Sequence, residues 1–384
     1  MPLTDEELSQ IRIAAARHVE SLVELTTRIC EVPAPTGQER QRAELIASLF
    51  RDRGYEAEID AIGNVYVRRG RQSGPVLMLL AHLDTVFPPG TSIEVHRKSD
   101  VLYGPGIGDN SVNVAAMISA FDLLDELGYK TEVDIVAVAD VGEEGLGNLR
   151  GARAAIERYR DQIGAVIVLD GRQGKVTHVA VGSLRWRVTV TGPGGHSFEA
   201  FGTPSAIHGL GRIIAAIAAL KVPAEPKTTY NVGLIEGGVS INTIAPKASA
   251  LIDMRSTSEQ ELEKLATQVA EIIACSPEPG LTAQIEVLGK RPAGARDRSD
   301  PLVRLASEVL IWLGYEPEYH AASTDANIPI SLGIPTVCVG VAHGEQMHTV
   351  DEYIEIPRIG DGLAQVVRLC LEAAELIAGG SLGA

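Results

Sequence analysis

An uninterrupted hydrophobic run at residues 76–81 ends at a polar segment that begins with His82 and Asp84. An apolar run of this length predicts a strand that is buried on both faces of a sheet. Open α/β sheets bind their ligands at the carboxyl ends of such strands, so His82 and Asp84 are the first candidates for a functional site. Taken alone, the segment also fits a histidine that hydrogen-bonds a local partner.

Strands and helices alternate through both ends of the chain. We expect helices at 4–31, 38–53, 111–127, 151–159, 301–313 and 359–378, and strands at 56–60, 64–67, 76–81, 133–139, 165–169 and 335–340. This alternation predicts an α/β fold, with a mostly parallel sheet that carries helices on both faces.

The middle of the chain has a different pattern, with half-exposed strands and two apolar helices. Strands are expected at 185–191, 229–236, 247–255 and 282–288, and helices at 204–220 and 257–274. The order strand–helix–strand–strand–helix–strand is that of an α+β split βαβ domain. We therefore predict one domain made of 1–185 and 293–384, and a second domain, 186–292, inserted into it.

Composition narrows the classes of function. Hydrophobic residues make up 45% of the 384 residues and charged residues 22%, as in a soluble globular protein. A net charge of −16 and only 4% aromatic residues argue against nucleic-acid binding, and the negative charge suits a protein that attracts divalent cations. The N-terminus lacks the pattern of a signal peptide, and no apolar stretch is long enough to span a membrane.

Cysteine usage points to a reducing compartment. The four cysteines are far apart and form no C-x-x-C pair: Cys30, Cys275, Cys338 and Cys370. We expect reduced thiols and a cytoplasmic protein with no membrane contact.

Several ionisable residues are expected just after strands or in glycine-rich turns. They are His82, Asp84, Asp109, Glu143, Glu144, Asp170 and His348. Carboxylates gathered at one sheet edge would repel each other unless cations neutralised them. Two histidines with several carboxylates and no cysteine suit a pair of Zn²⁺, Co²⁺ or Mn²⁺ ions, which a bridging carboxylate would hold about 3.5–4 Å apart.

The glycine-rich segment before Asp109 also has a partial nucleotide-binding pattern. Gly104, Gly106 and Gly108 precede Asp109, which stands where the dinucleotide fingerprint has its third glycine. We therefore expect the glycines to allow a tight turn that points Asp109 inward.

Five segments together resemble one enzyme family. They are His82-Leu83-Asp84-Thr85-Val86, the stretch from Leu102-Tyr103-Gly104 to Asp109, Glu143-Glu144-Gly145, Gly194-Gly195-His196-Ser197 and the late His348. In this order they resemble the M20 metallopeptidases, which include peptidase T, carnosinase-type dipeptidases, acetylornithine deacetylase, succinyl-diaminopimelate desuccinylase and glutamate carboxypeptidases. The resemblance implies a di-zinc exopeptidase-like fold, in which 186–292 is a lid domain that usually also forms a homodimer contact.

The resemblance implies a role for each residue of the predicted centre. His82 would bind one metal ion and His348 the other, while Asp109 would bridge both. Glu144 and Asp170 would each bind one ion terminally. Asp84 would orient the imidazole of His82, and Glu143 would be the general base that takes a proton from the attacking water. His343 is close enough to His348 in sequence to be a rival ligand.

Three residues of the lid also match the family. His196 would reach the active site of the partner subunit and stabilise the oxyanion. Asn242 would contact substrate, and Arg255 would hold a substrate carboxylate, although a surface ion pair is an equal alternative for Arg255. Thr324-Asp325-Ala326 matches a family turn near the site to which we assign no role.

Two departures from the family pattern bear on specificity. The family often has Asp-x-Lys-Gly where this chain has Asp109-Asn110-Ser111-Val112, so a local positive charge is missing. Aspartate at position 170 resembles the peptidase T and dipeptidase branch, and its short side chain leaves room for a substrate α-ammonium.

The sequence therefore favours a metal-dependent aminopeptidase that cleaves di- or tripeptides, with zinc as the first choice of metal. An N-acyl amino acid deacylase or a carboxypeptidase of the same family stays open as an alternative. A non-catalytic metal-binding protein is a third possibility, against which the complete set of expected residues argues.

Overall fold

The computed structural model describes residues 3–71, 73–275 and 278–382. The helices are α1 (Asp5–Arg17), α2 (Val19–Cys30), α3 (Arg40–Arg51), α4 (Val112–Glu126), α5 (Arg150–Arg158), α6 (Ala206–Ala218), α7 (Glu259–Cys275), α8 (Pro301–Trp312), α9 (Asn327–Ser331) and α10 (Ile359–Ala378), and a π-helical turn covers Ile107–Ser111.

The strands, in chain order, are β1 (Ala57–Ile59), β2 (Val65–Arg69), β3 (Val76–His82), β4 (His96–Lys98), β5 (Val101–Tyr103), β6 (Asp134–Asp140), β7 (Ile163–Leu169), β8 (Lys175–Ala180), β9 (Gly182–Thr191), β10 (Gly195–His196), β11 (Thr228–Gly237), β12 (Thr243–Ile244), β13 (Lys247–Ser256), β14 (Thr282–Arg291), β15 (Gly294–Ala295), β16 (Glu318–Ala322), β17 (Thr336–Val339), β18 (Gly344–Glu345) and β19 (Tyr353–Glu355).

The chain folds into two compact units. One comprises the chain up to Ala180 and from Ala295 onwards, and the other is Val181–Gly294. No helix formed by the described residues combines the length and apolarity needed to cross a lipid bilayer.

The larger unit is built on a nine-stranded sheet in the order β1-β2-β6-β3-β7-β17-β8-β15, with β16 paired to β8. Its central pairs, β6–β3, β3–β7 and β7–β17, are parallel, whereas β1–β2, β2–β6 and β17–β8 are antiparallel. The parallel centre brings the carboxyl ends of β3, β6 and β7 to one edge.

Helices cover both faces of this sheet. Every residue of β3 is buried, and its side chains alternate between two cores: Leu77, Leu79 and Ala81 face one, and Val76, Met78 and Leu80 face the other. The first core takes in residues of α1 to α4, α8 and α10, and the second takes in residues of α5 and α9. These layers confirm the predicted α/β fold. Because helices cover both faces of the sheet, β3 needs no polar residue before its end.

The smaller unit is a four-stranded antiparallel sheet in the order β11-β13-β9-β14. Helices α6 and α7 pack on one face of it, against a core that includes Trp186, Val188 and Val190 of β9. This strand order and the helices between the strands are those of the predicted split βαβ arrangement.

One sequence expectation about a helix was wrong, and some short strands were not predicted. The single helix expected at 4–31 is two helices, α1 and α2, that meet at His18, whose Nε2 atom lies 2.7 Å from Oε2 of Glu126. The hydrophobic pattern also missed a small antiparallel sheet in the order β18-β19-β5-β4, because each of its strands has only two or three residues.

Candidate metal centre

Three neighbouring strands deliver their following residues to one edge of the sheet. His82 is the last residue of β3 and lies opposite Asp140, the last residue of β6. Glu143 and Glu144 follow β6 in a turn, and Asp170 follows β7 directly. The parallel register therefore brings side chains together that lie up to 88 positions apart in the sequence.

The first group of possible ligands surrounds His82, which is 1% exposed. Its Nε2 atom lies 3.0 Å from Oδ1 of Asp109 and 4.0 Å from Oδ1 of Asp170. One ligand atom from each of these three side chains lies within 4.8 Å of the others. That spacing suits a single ion held between them.

The second group surrounds His348. Its Nε2 atom lies 3.1 Å from Oδ2 of Asp109 and 3.3 Å from Oε1 of Glu144, and these three side chains also offer ligand atoms within 4.8 Å of one another. Asp109 therefore belongs to both groups, with a different carboxylate oxygen facing each histidine. This is the arrangement that a bridging carboxylate needs.

Asp84 determines which ring nitrogen of His82 carries the proton. His82 Nδ1 lies 3.0 Å from the backbone carbonyl oxygen of Asp84 and 3.7 Å from its carboxylate. An Nδ1–H that donates to this carbonyl leaves the lone pair of Nε2 free to bind a metal ion. The nearest acceptor for the imidazole is thus the main chain of Asp84 rather than its side chain.

The buried carboxylate of Asp84 holds the acidic turn instead. It accepts hydrogen bonds from the backbone N–H groups of Gly142 and Glu143, both at 3.0 Å, and of Glu144 at 2.9 Å. The hydroxyl of Thr36 donates a fourth bond at 2.8 Å. Burial alone would raise the pKa of Asp84, but the nearby His82 and these hydrogen bonds bring it below its ordinary value.

Glu143 lies in the same turn, buried beside the possible ligands. Its side chain is 5% exposed, and it offers a carboxylate oxygen within 4.8 Å of ligand atoms of His82 and Glu144. A carboxylate in this position can reach a water molecule held near the two groups.

A buried glutamate that the sequence analysis missed holds the turn that carries Asp109. Glu352 is 1% exposed and accepts hydrogen bonds at 2.8 Å from the backbone N–H groups of Gly106, Gly108 and Asp109. Burial and the charge of Asp109 raise the pKa of Glu352 to about 7. The acidic stretch around Glu352 looks solvent-exposed in the sequence, so only its contacts reveal the role.

The glycines of this turn are required by the backbone. Gly106 has a φ of +78°, and a Cβ atom there would lie 2.8 Å from Cγ2 of Thr85. Where the family often has a lysine pattern, Asn110 donates a hydrogen bond to the carbonyl of Leu169 at 3.0 Å. The side chain of Asn110 therefore ties the Asp109 turn to the end of β7, next to Asp170.

The charges of the cluster fit divalent cations. Burial, together with the charges of Asp109 and Glu144, raises the pKa of Asp170 to about 6. Hydrogen bonds to Asp109 and Glu144 raise the pKa of His348 to about 10. Without cations, the crowded carboxylates retain protons and hold the imidazoles in their charged form. Metal ions would supply the positive charge instead, and both kinds of group could then lose their protons. Two histidines and three carboxylates, one of which has an oxygen facing each histidine, are a ligand set for two such ions.

Behind the acidic turn lies a second buried acidic pair, Asp140 and Asp325, which are 0% and 1% exposed. Burial raises the pKa of Asp140 to about 7, and burial with the charges of Asp140 and Glu143 raises that of Asp325 well above its ordinary range. Asp140 ends β6 as His82 ends β3, so the rule applied to the other strand ends could have found it.

His343, the rival ligand, belongs to none of the three groups of possible ligands that the described residues form. Its ring lies 5.5 Å from the ring of Tyr315. The sequence alternative of His343 in place of His348 therefore has no geometric support.

The three candidates in the smaller unit fall into two places. Strands β10 and β12 pair so that His196 lies opposite Thr243, and Asn242 accepts a backbone hydrogen bond from Ser197 at 3.0 Å. Arg255 lies near the far end of β13 and donates from Nε to Oδ2 of Asp253 at 2.7 Å. His196 and Asn242 thus share one ribbon, while Arg255 forms the surface ion pair that was its alternative.

The amino-acid sequence matches a known protein family and resembles known proteins along most of its length. A sequence profile described as peptidase family M20/M25/M40 matches residues 78–372. A succinyl-diaminopimelate desuccinylase from Corynebacterium glutamicum is 26% identical over 352 residues, covering 88% of this chain and 92% of that protein.

Solved structures share the fold. A tripeptidase from Staphylococcus aureus aligns with a TM-score of 0.80 and 21% identity, covering 93% of this chain and 99% of that chain. A Bacillus subtilis protein described as a dinuclear metal-binding peptidase of the M20 family aligns with a TM-score of 0.68 and 17% identity, covering 94% and 99%.

Proposed function

We propose that this chain, which belongs to peptidase family M20/M25/M40, is an aminopeptidase that cleaves di- or tripeptides. Membership confirms the resemblance found in the sequence and makes the chain a metal-dependent hydrolase. The observation that carries the proposal is the shared position of Asp109, whose two carboxylate oxygens lie 3.0 Å from His82 and 3.1 Å from His348.

Five side chains would hold the metal ions. His82 and Asp170 would bind one ion, Glu144 and His348 would bind the other, and Asp109 would bridge them. Zinc is our first choice, with cobalt or manganese as alternatives, because imidazole and carboxylate ligands suit all three. Such a pair of ions, when bound, acidifies water and polarises the substrate carbonyl.

The protein's own groups would move the proton. Glu143 would accept a proton from the attacking water and donate it to the leaving nitrogen, which is the role of a general acid–base residue. Asp84 would keep Glu143 in place through the backbone of the acidic turn, and would fix the tautomer of His82 through its carbonyl oxygen.

Substrate choice is inferred from Asp170. An aspartate reaches less far than a glutamate, and this leaves room beside the ion for a substrate α-ammonium, as in the branch that the sequence resembles. The tripeptidase from Staphylococcus aureus supports a peptide substrate. The desuccinylase from Corynebacterium glutamicum supports the second candidate, an N-acyl amino acid deacylase.

We also propose that the protein works as a homodimer through its smaller unit. Strand β12 leads into the Lys247 end of β13, while Arg255 lies eight positions further along, roughly 26 Å away at about 3.3 Å per residue. His196 and Arg255 are therefore too far apart to act together within one copy. The separation supports an arrangement in which His196 and Asn242 serve the partner's site, while Arg255, whose Nε also pairs with Asp253, serves its own.

The two substrate classes can be separated with one pair of peptides. The protein loaded with Zn²⁺, Co²⁺ or Mn²⁺ is assayed on a free tripeptide and on the same tripeptide with an acetylated N-terminus. We expect the free peptide to be cleaved and the acetylated one to resist. Cleavage of N-acyl amino acids with no cleavage of free peptides would favour the deacylase and contradict the aminopeptidase.

A further inference from the structure

A cavity of about 270 Å³ opens beside Asp170 in the larger unit. Asp170 lines one side of it and Met347, next to His348, lines another. The cavity therefore adjoins the place where the first ion would be held. Nothing in the proposed chemistry uses this space.

The floor of the cavity is a row of side chains across three strands. Thr177 of β8 lies opposite Cys338 of β17 on one side and opposite His320 of β16 on the other. Lys175 lies two positions before Thr177, so its side chain is on the same face of β8 and lines the cavity with the row. The β16–β8 register shifts between His320 and Ala321, but the residues of this floor lie on strands of the sheet.

The charges around the cavity are unbalanced. Among the described residues that line it, Asp170 is the only carboxylate, while Arg172 and Lys175 are cations. Arg172 is already engaged, since its Nη1 atom lies 2.6 Å from Oε1 of Glu345. Lys175 Nζ lies 3.7 Å from Oε1 of Glu318, which is too long for a hydrogen bond, and its side chain is 30% exposed.

The imidazole of His320 also lines the cavity. Burial, with the charge of Lys175, lowers the pKa of His320 below its ordinary value. His320 Nδ1 lies 3.4 Å from the hydroxyl of Thr177, so its other ring nitrogen is available to a ligand. A partly buried ammonium with a loose surface partner and a neutral imidazole beside it is an environment that attracts a carboxylate.

We propose that this cavity receives the substrate group attached to the scissile carbonyl, and that Lys175 makes it favour a group that ends in a carboxylate. The inference rests on the proposed function, because it assumes that the carbonyl lies at the Asp109 centre. A free α-ammonium beside Asp170 would direct the side chain of the first residue into the cavity. An acidic first residue of a peptide and a dicarboxylic acyl group such as succinyl offer the same chemistry.

The test compares charged substrates with neutral ones of the same shape. For the metal-loaded protein, kcat/KM is measured for Glu-Gly-Gly and Gln-Gly-Gly, and for N-succinylglycine and its terminal amide. We expect the charged member of the cleaved pair to be preferred by about tenfold or more, as a charge-assisted hydrogen bond provides. The pair that is cleaved identifies the source of the carboxylate.

Variants assign the preference to Lys175. In Lys175→Met the ratio of charged to neutral substrate should fall to about one, because the apolar stem remains and the charge is lost. Lys175→Arg should restore a preference for the charged substrate. Lys221→Met removes an exposed lysine of the smaller unit and is the matched control, whose ratio should equal that of the unchanged protein.

The outcomes separate this inference from the proposed function. Equal rates on the charged and neutral substrates would overturn the role of the cavity while leaving the hydrolase intact. A preference that survives in Lys175→Met would overturn the assignment to Lys175. Cleavage of the succinyl pair alone would contradict the aminopeptidase but keep the role of the cavity. No hydrolysis of any of the four compounds or of other small peptides would overturn the proposed function, and this inference with it.

Discussion

Replacing Glu352 with glutamine should weaken metal binding although Glu352 would touch no ion. Its carboxylate accepts one backbone hydrogen bond at Oε2, from Gly106, and two at Oε1, from Gly108 and Asp109. Glutamine offers only one oxygen. With that oxygen in the place of Oε1, the amide NH₂ faces the N–H of Gly106, so one bond is lost and two donors oppose each other.

The magnitude follows from the kind of bond lost. The metal titration is run above pH 7, where Glu352, whose pKa is raised to about 7, is ionised. A hydrogen bond to a charged acceptor contributes about 1.5–3 kcal/mol, and Glu352 is too deeply buried for water to replace it. If the lost bond destabilises the turn that holds Asp109 by this amount, the affinity for metal should fall by roughly 10- to 100-fold. That is the usual effect of removing a group that supports a metal ligand.

The assay is a competition titration of the metal-free protein with Zn²⁺ and a chromophoric chelator, which measures both affinities. Glu355→Gln is the matched control, because it removes the same charge three residues away from an exposed position on β19. We expect wild-type affinities for the control and weaker binding for Glu352→Gln. If Glu352→Gln binds two equivalents of Zn²⁺ as tightly as the wild type, the proposed support of Asp109 is refuted.

Three further predictions concern groups around the centre. Glu143→Ala should lower kcat by about 10²- to 10⁴-fold, as expected for loss of a general base, with the metal content unchanged, and a variant with full activity would contradict the assignment. In metal-free protein, burial raises the pKa of Asp140 from 3.8 to about 7, so protonation of Asp140 stabilises the fold fully below about pH 4 and ceases to do so as the pH rises through 7. The stability of the wild type relative to Asp140→Asn, measured by urea unfolding, should therefore fall by a few kcal/mol over that range and stay level above it, and a pH-independent difference would contradict this. Arg42 is 1% exposed and donates to the carbonyls of three residues at 2.8–3.1 Å, so Arg42→Met should destabilise the protein by about 3 kcal/mol in the same assay, whereas the exposed Arg40→Met should change little.

Local sequence patterns were sufficient wherever a residue's neighbours along the chain set its environment. The apolar run before His82, closed by turn residues, predicted the buried strand β3, because a strand covered on both faces by helices can be apolar at every position. The order of elements in the middle of the chain predicted the α+β unit, because that order follows from local patterns of strands and helices. The motif around Glu143 and Glu144 likewise located the acidic turn at the end of β6.

Patterns of this kind failed where a residue's partners are remote. Glu352 contacts a turn that lies 243 to 246 positions earlier, and nothing beside it in the sequence marks it as buried. The very short strands near it have too few residues to show a hydrophobic period, although they hold Glu352 against the glycine-rich turn.

The sequence by itself determined the chemistry of this protein: which residues can bind cations, which can carry a proton, and on which elements they lie. Only the tertiary structure decided which of them meet. It turned one oxygen of Asp109 toward His82 and the other toward His348, and it brought Lys175 to the wall of a cavity beside Asp170. The reason is that side-chain chemistry is a property of single residues, whereas distances between residues far apart in the chain are set by how sheets and helices pack.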